Sequence, residues 1–300
     1  MNYSATLATV ERLDKFFPGL SVREITTTTM KNFAALLQSK GLSNGSINRS
    51  LSALRRMFYL AKEEERLRYI PHFPMLEESA PRKGFFERVE YERLYAALPD
   101  YLRPVVAIAY HTGMRRAEIT SLLWEQVDLL NRAIRLNAGE TKNGEARNVP
   151  ITAELHHVLA QLHAGSVGPL VCFRRTKTGK VLPVGDFRKI WYARCVKLGL
   201  GEMKEEAGKP VYHGKLLHDL RRTGVRNLVR AGVPEKIAMG ITGHKTRSVF
   251  DRYNIVSERD LAEAGRKLDA YNLEKNGPSL VQVEPKAGSV DSVVNRFCTS

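Results

Sequence analysis

Residues 214 to 254 include His218, Arg221, His244 and Tyr253. Leu216, Leu217, Leu220, Leu228 and Val229 recur at helical spacing up to Gly232, so His218 and Arg221, three residues apart, share one side of a helix. Pro234 suits the start of a second short helix, Gly243 turns the chain ahead of His244, and Tyr253 follows a third short helical run. Two imidazoles, a guanidinium and a phenol brought to one point would make an anion site with an oxygen nucleophile beside it.

Two earlier stretches hold side chains of matching chemistry. Thr112-Gly113 breaks a helix opened by Pro104, and Arg115 and Glu118 follow at that junction, where turns present side chains to ligands. A surface ion pair is the plainer use of such a pair. Lys142 falls in Gly139-Glu140-Thr141-Lys142-Asn143-Gly144-Glu145 between two short strands, Ala133 to Leu136 and Arg147 to Ile151, and Asn-Gly marks a hairpin tip.

The elements that must position these groups fall into two regions. Helical periodicity covers residues 3 to 17, a run around Phe33 to Leu37 ending near Gly41, and a third helix capped by Ser43 with Ile47, Leu51, Leu54 and Phe58 on one side. Its other positions carry Asn48, Arg49, Arg55, Arg56 and Lys62, a solvated face or one set against phosphates. No aromatic is interleaved with those charges, which argues against stacking on single strands. Prolines 71, 74 and 81 mark a linker, giving a helical domain over 1–76, a linker over 77–84, a mixed domain over 85–275 and a flexible tail over 276–300.

Within the mixed domain, helices are expected near 90–98, 104–111, 115–123, 152–163 and 185–199. The basic stretch with Arg174, Arg175 and Lys177 reads as a solvated or DNA-facing loop, and a helix with a narrow apolar stripe at Leu261, Ala264, Leu268 and Tyr271 comes after Tyr253.

Composition agrees with a polyanionic partner. The 300 residues carry 47 Lys and Arg against 32 Asp and Glu, a formal charge of +15, and neutralising phosphates releases counterions. Hydrophobic content of 43% allows sizeable cores. No apolar run approaches a membrane span and the start lacks a signal-peptide pattern, so the expected location is the cytoplasm, at the nucleoid or in a phage's host, with no membrane partner. The three cysteines, Cys172, Cys195 and Cys298, are too scattered for a disulfide framework or zinc site and read as reduced thiols.

In order and local spacing, Thr112-Gly113-Met114-Arg115 with Glu118, Lys142 on a hairpin, His218-Asp219-Leu220-Arg221, Gly243-His244 and Tyr253 resemble the tyrosine recombinases, or phage integrase family. The resemblance implies a mainly α fold with a small β-sheet, a helical core-DNA-binding domain followed by a mixed α/β catalytic domain. It implies catalytic roles for Arg115, Lys142, His218, Arg221, His244 and Tyr253, with Glu118 in support. Arg115 and Arg221 would hold the scissile phosphate, His244 would add a donor, His218 would relay the proton that Tyr253 loses, and Lys142 would protonate the departing 5' oxygen.

The same resemblance implies a 3'-phosphotyrosyl link, strand exchange between paired duplex sites through a four-way junction, a tetramer on DNA, a place for an accessory directionality factor, and no cofactor or metal. A type IB topoisomerase and a silent DNA-binding regulator are the alternatives on similar residues. Thr242 stands where the family usually has leucine, which reads as a packing change, and the helical domain begins too early for an arm-site module.

Overall fold

The computed structural model describes residues 3–80, 82, 84–139, 141, 144–206, 208–253 and 258–276. Lys142, Cys298 and residues 277–300 of the tail expected over 276–300 lie outside the described residues, while Asn276 ends a helix. The chain divides into two compact units, residues 1–82 and 83–300.

The first unit is helical: α1 (Tyr3–Phe16), α2 (Thr27–Ser39) and α3 (Asn44–Glu63). Local chemistry sets the ends. Thr26 and Thr29 exchange capping bonds at the start of α2, and the Ser43 hydroxyl accepts from the Ser46 amide at the start of α3. Phe33, Ile47, Leu51 and Phe58 are buried in a common core. Asn48, expected on the polar face, is buried instead: its amide group donates to the Leu76 carbonyl and its oxygen accepts from the Leu76 amide, which ties residues 76–78 to α3.

The second unit begins with α4 (Arg88–Ala97), α5 (Arg103–Thr112) and α6 (Arg116–Thr120). The expected helix through Leu123 stops at Thr120, and Leu123 bridges to Leu170 in extended form. A three-stranded antiparallel sheet comes next, β1 (Val127–Asp128), β2 (Ala133–Leu136) and β3 (Arg147–Pro150), with Ile134 opposite Val149 and both fully buried. Then come α7 (Ala153–Ala164), β4 (Phe173–Arg175), β5 (Val181–Pro183), α8 (Arg188–Lys197), β6 (Gly201–Glu206) and β7 (Lys209–Gly214). The basic stretch expected as a loop is therefore half strand, because β4 and β5 pair as an antiparallel hairpin around the Thr176–Lys180 turn. Its strands are short and mostly exposed, so no apolar alternation reveals them.

The unit closes with α9 (Leu217–Arg230), α10 (Glu235–Thr242), α11 (Arg247–Asp251) and α12 (Glu258–Asn276). Its main core gathers α5, the sheet and α8, including Val105, Ile108, Ile134, Val149 and Trp191. A smaller cluster of Val225, Ala238 and Phe250 joins α9, α10 and α11, and Tyr253 packs against it. The buried thiols Cys172 and Cys195 belong to the main core. The apolar residues of α12, Leu261, Leu268, Tyr271 and Leu273, are exposed. Among the described residues no helix is long and apolar enough to cross a membrane.

Candidate active site

Two glycines let the helices that carry the site meet. A Cβ on Gly224 of α9 would stand 2.7 Å from both the Cα and the nitrogen of Gly113, so only glycine permits that approach of α9 to the end of α5. Gly243 ends α10 in the left-handed conformation at φ 69°, and a Cβ there would meet the Arg147 guanidinium at 3.0 Å. The chain thereby brings Arg115, His218, Arg221, His244 and Tyr253 around one cleft of about 420 Å³, with Lys245 and Val249 on its wall. A larger concavity of about 910 Å³ in the first unit is lined by Arg23, Arg66, Arg68, Tyr69 and His72 among others.

Each side chain is held by its element. Arg115 caps α6; its backbone amide and Nη1 donate to Glu118 at 2.8 and 3.0 Å, and its Nη2 donates to the Gly243 carbonyl at 2.9 Å. Glu118 is buried and also accepts two bonds from Arg147, at 3.1 and 2.6 Å. Burial pushes the Glu118 carboxyl up, but Arg147 and Arg115 outweigh it and leave the pKa below its ordinary value, so the carboxylate stays charged. Arg147, not singled out by its sequence context, is thus a second guanidinium braced on Glu118. The available signal was alternation in β3: Arg147 shares a face with buried Val149, and an inward guanidinium needs a carboxylate.

Arg221 is almost fully buried, donating through Nη1 to the Gly113 carbonyl at 2.5 Å and through Nη2 to the Thr242 carbonyl at 2.7 Å. Burial and then the charge of Arg115 lower its pKa, yet a guanidinium remains protonated at neutral pH. His244 Nε2 lies 2.9 Å from Arg221 Nη2, and its Nδ1 lies 2.8 Å from the Thr242 hydroxyl. Thr242 is therefore more than the packing change its sequence position suggested: its hydroxyl touches the ring of His244. The expected third donor to phosphate has both ring nitrogens engaged by protein groups. Burial, then Arg221 and Arg115, push the His244 pKa down to about 3, leaving the ring neutral.

Tyr253 lies between the two imidazoles. Its hydroxyl is 3.0 Å from His218 Nε2, its ring centroid is 4.7 Å from that of His244, and the Arg221 guanidinium carbon stands 5.5 Å from its centroid. Burial, then Arg222 and Arg221, push the His218 pKa down to about 4. The residue keeps an exposed side, so solvent screens part of that effect, but its imidazole is neutral at pH 7 with or without it. With its proton on Nδ1, a neutral His218 presents Nε2 to the phenol as a proton acceptor, and guanidiniums over the same ring suit an anion bound in the cleft. Among the described residues no group of three or more His, Cys, Asp or Glu could hold a metal ion.

The residues expected to contact DNA are not among those lining this cleft. Arg49, Arg55, Arg56 and Lys62 are exposed on α3, and Arg56 pairs with Glu63 at 3.6 Å. Tyr59 is exposed too, with Arg55 5.6 Å from its ring, so an aromatic does stand among those charges, contrary to the expectation from sequence. The helical turn places Tyr59 four residues after Arg55, outside the apolar stripe. Arg174, Arg175 and Lys177 are exposed on the β4–β5 hairpin.

Residues 85–259 match the model of the phage integrase family, and residues 1–75 match that of the phage integrase SAM-like domain. The chain belongs to the phage integrase family, the tyrosine recombinases. A putative integrase/recombinase of Haemophilus influenzae is 30% identical over 85% of this chain and 78% of its own length. The tyrosine recombinase XerA of Pyrococcus furiosus is 28% identical over 81% of this chain and 80% of its own length. The integrase of Salmonella phage P22 is 23% identical, but the match spans only 56% of that protein.

The Tn1549 transposon integrase in complex with transposon right end DNA shares the fold with a TM-score of 0.69 at 19% identity, over 90% of this chain and 95% of that one. A lambda integrase dimer bound to a core site gives 0.65 at 18% identity, over 84% and 88%. The mainly helical first unit and mixed α/β second unit thus have the recombinase architecture. Family membership supports site-specific DNA recombination or integration as the class of activity.

Proposed function

We propose that the chain is a site-specific recombinase that cuts and rejoins duplex DNA through Tyr253, and the observation that carries this reading is the 3.0 Å contact of the Tyr253 hydroxyl with His218 Nε2 inside a cleft lined by Arg115 and Arg221. A phenol holds its proton at neutral pH, so attack on a phosphodiester requires an acceptor, which His218 supplies. The Tyr253 oxygen bonds to phosphorus, the bond to the 5' oxygen breaks, and the strand is left as a 3'-phosphotyrosine and a free 5' hydroxyl. Arg115 and Arg221 meet the charge that grows on the non-bridging oxygens. The departing oxygen needs a proton, and Lys142 is assigned that task on the family pattern alone. Attack by a 5' hydroxyl from a second site reverses each bond change and completes exchange, so the phosphodiester energy is conserved without a nucleotide.

The first unit is assigned to DNA contact through Arg49, Arg55, Arg56 and Lys62, and the β4–β5 hairpin through Arg174, Arg175 and Lys177; their exposure and the excess of positive charge support this. A lambda integrase tetramer bound to a Holliday junction shares the fold, and the exposed apolar residues of α12 suit docking on a neighbouring copy, so a tetramer on paired sites is the proposed assembly. Integration or excision of a mobile element and resolution of replicons are the roles such an enzyme serves, in the cytoplasm at the DNA.

A duplex nicked just beyond the scissile phosphate tests the chemistry. The short fragment that carries the free 5' hydroxyl diffuses away, so wild-type protein should accumulate as a covalent DNA complex and Tyr253→Phe should form none. A complex formed equally by Tyr253→Phe would refute the assignment.

A further inference from the structure

The hydrogen bonds around His244 admit one arrangement of its ring proton. Arg221 offers only donors, so the Nε2 that faces its Nη2 at 2.9 Å must be an acceptor. A neutral imidazole that accepts at Nε2 carries its proton on Nδ1, and Nδ1 faces the Thr242 hydroxyl at 2.8 Å. That hydroxyl is free to accept, because its own proton goes to the Ala238 carbonyl at 2.7 Å one helical turn back in α10. The chain from Ala238 through Thr242 and His244 to Arg221 is consistent at every link, and the opposite tautomer would set two donors against each other at Arg221. Thr242 is fully buried and His244 nearly so, leaving little water to repair a mismatch.

We propose that Thr242 is a positioning residue for the recombination reaction: with Arg221 donating to Nε2, the Thr242 hydroxyl accepts from Nδ1 and locks His244 in the Nδ1–H tautomer, so that the ring holds that guanidinium. Arg221 is then gripped along one edge by the Gly113 and Thr242 carbonyls and by the imidazole. Thr242 thereby sets the aim of the group that receives transition-state charge, and a displacement of that group by a fraction of an ångström weakens the stabilisation it gives. The inference rests on the recombinase reading for its catalytic consequence, while the tautomer is a property of the DNA-free protein.

Nitrogen NMR of the full-length, 15N-labelled protein without DNA at neutral pH reads the ring directly, with His244→Gln identifying its signals. A protonated Nδ1 and a bare Nε2 are expected, and a protonated Nε2 in the wild type overturns the lock with no variant needed. Thr242→Val keeps the shape and leaves the Nδ1–H without its acceptor, so the ring should lose its single tautomer and its two nitrogen signals should move toward each other. Covalent trapping on the nicked duplex should slow about tenfold with duplex affinity little changed, and the thermal midpoint should fall because the buried Nδ1–H is left unpaired.

Thr242→Ser should restore both the tautomer and most of the rate. Trapping by Thr242→Val at the wild-type rate, or an equal loss in Thr242→Ser, overturns the proposal. Wild-type protein that forms no covalent complex defeats the recombinase reading instead, and leaves the tautomer measurement standing.

Discussion

His218 Nε2 and the Tyr253 hydroxyl stand 3.0 Å apart although 35 residues separate them in the chain. The packing that achieves this is small: Val225, Ala238 and Phe250 fasten α11 to α9 and α10, and Tyr253 lies against that cluster. The contact implies that a neutral His218 serves as the base. Since its pKa is pushed down to about 4, Tyr253-dependent cleavage should climb as pH rises through the acid range and then stay level toward neutrality. His218→Gln should lower the plateau by about 100-fold, within the usual contribution of a positioned base. Single-turnover trapping across pH measures both.

The two depressed histidines also make folding stability depend on pH. His218 at about 4 and His244 at about 3 bind fewer protons when folded than when unfolded, where an imidazole titrates near 6.5. Their contribution should therefore be complete above about 6.5 and be lost progressively as pH falls toward 4 and 3. Urea midpoints at several pH values should show this loss, and a His244→Gln variant should lessen its steepness.

Glu118 is shared by two guanidiniums, at 3.0 Å from Arg115 and 2.6 Å from Arg147. Its removal leaves both without their carboxylate in a site where the three side chains are mostly shielded from water. Glu118→Ala should destabilise the second unit by about 3 kcal/mol, the cost of breaking such a pair from one side. Denaturant unfolding checks this, and Glu118→Gln, which keeps some of the hydrogen bonds, should cost less.

Gly224 and Gly240 are both helical glycines in different surroundings. Alanine at 224 would drive its Cβ to 2.7 Å from Gly113, separate α9 from α5 and disturb the Gly113 carbonyl that Arg221 uses, whereas position 240 meets nothing within 4 Å. Gly224→Ala should cost about 1–3 kcal/mol and reduce cleavage, while Gly240→Ala should gain about 0.5–1 kcal/mol and leave cleavage intact. Thermal unfolding and duplex trapping on the two variants distinguish these outcomes.

Replacing Arg49 and Arg55 of α3 with alanine should lower the slope of log affinity against log salt by about 0.9 for each phosphate contact removed. Arg56, partly neutralised by Glu63, should contribute less. Duplex binding measured at several salt concentrations would show it.

Sequence legibility tracked the physical signal. The helices of the first unit carry long apolar stripes and explicit caps at Thr26 and Ser43, and Arg115, His218, Arg221 and His244 sit beside glycines or on a strongly patterned helix that fixes where they point. The paired strands β4 with β5 are short, and these and β6 with β7 are largely exposed, so burial imposed no alternation for periodicity to report. The partners of Arg147 and Thr242 were hidden for another reason, although β3 alternation does turn Arg147 inward. Each acts through a partner distant in sequence or through a ring nitrogen whose proton no spacing rule describes, and only the folded contacts with Glu118 and His244 reveal the role.

The most direct test of Tyr253 as the nucleophile is to digest the complex trapped on a nicked duplex and map by mass spectrometry the peptide that carries the nucleotide. The adduct should sit on the Tyr253 phenol, joined to a 3' phosphate. An adduct on any other side chain, a 5' linkage, or cleavage with no protein attached would contradict it.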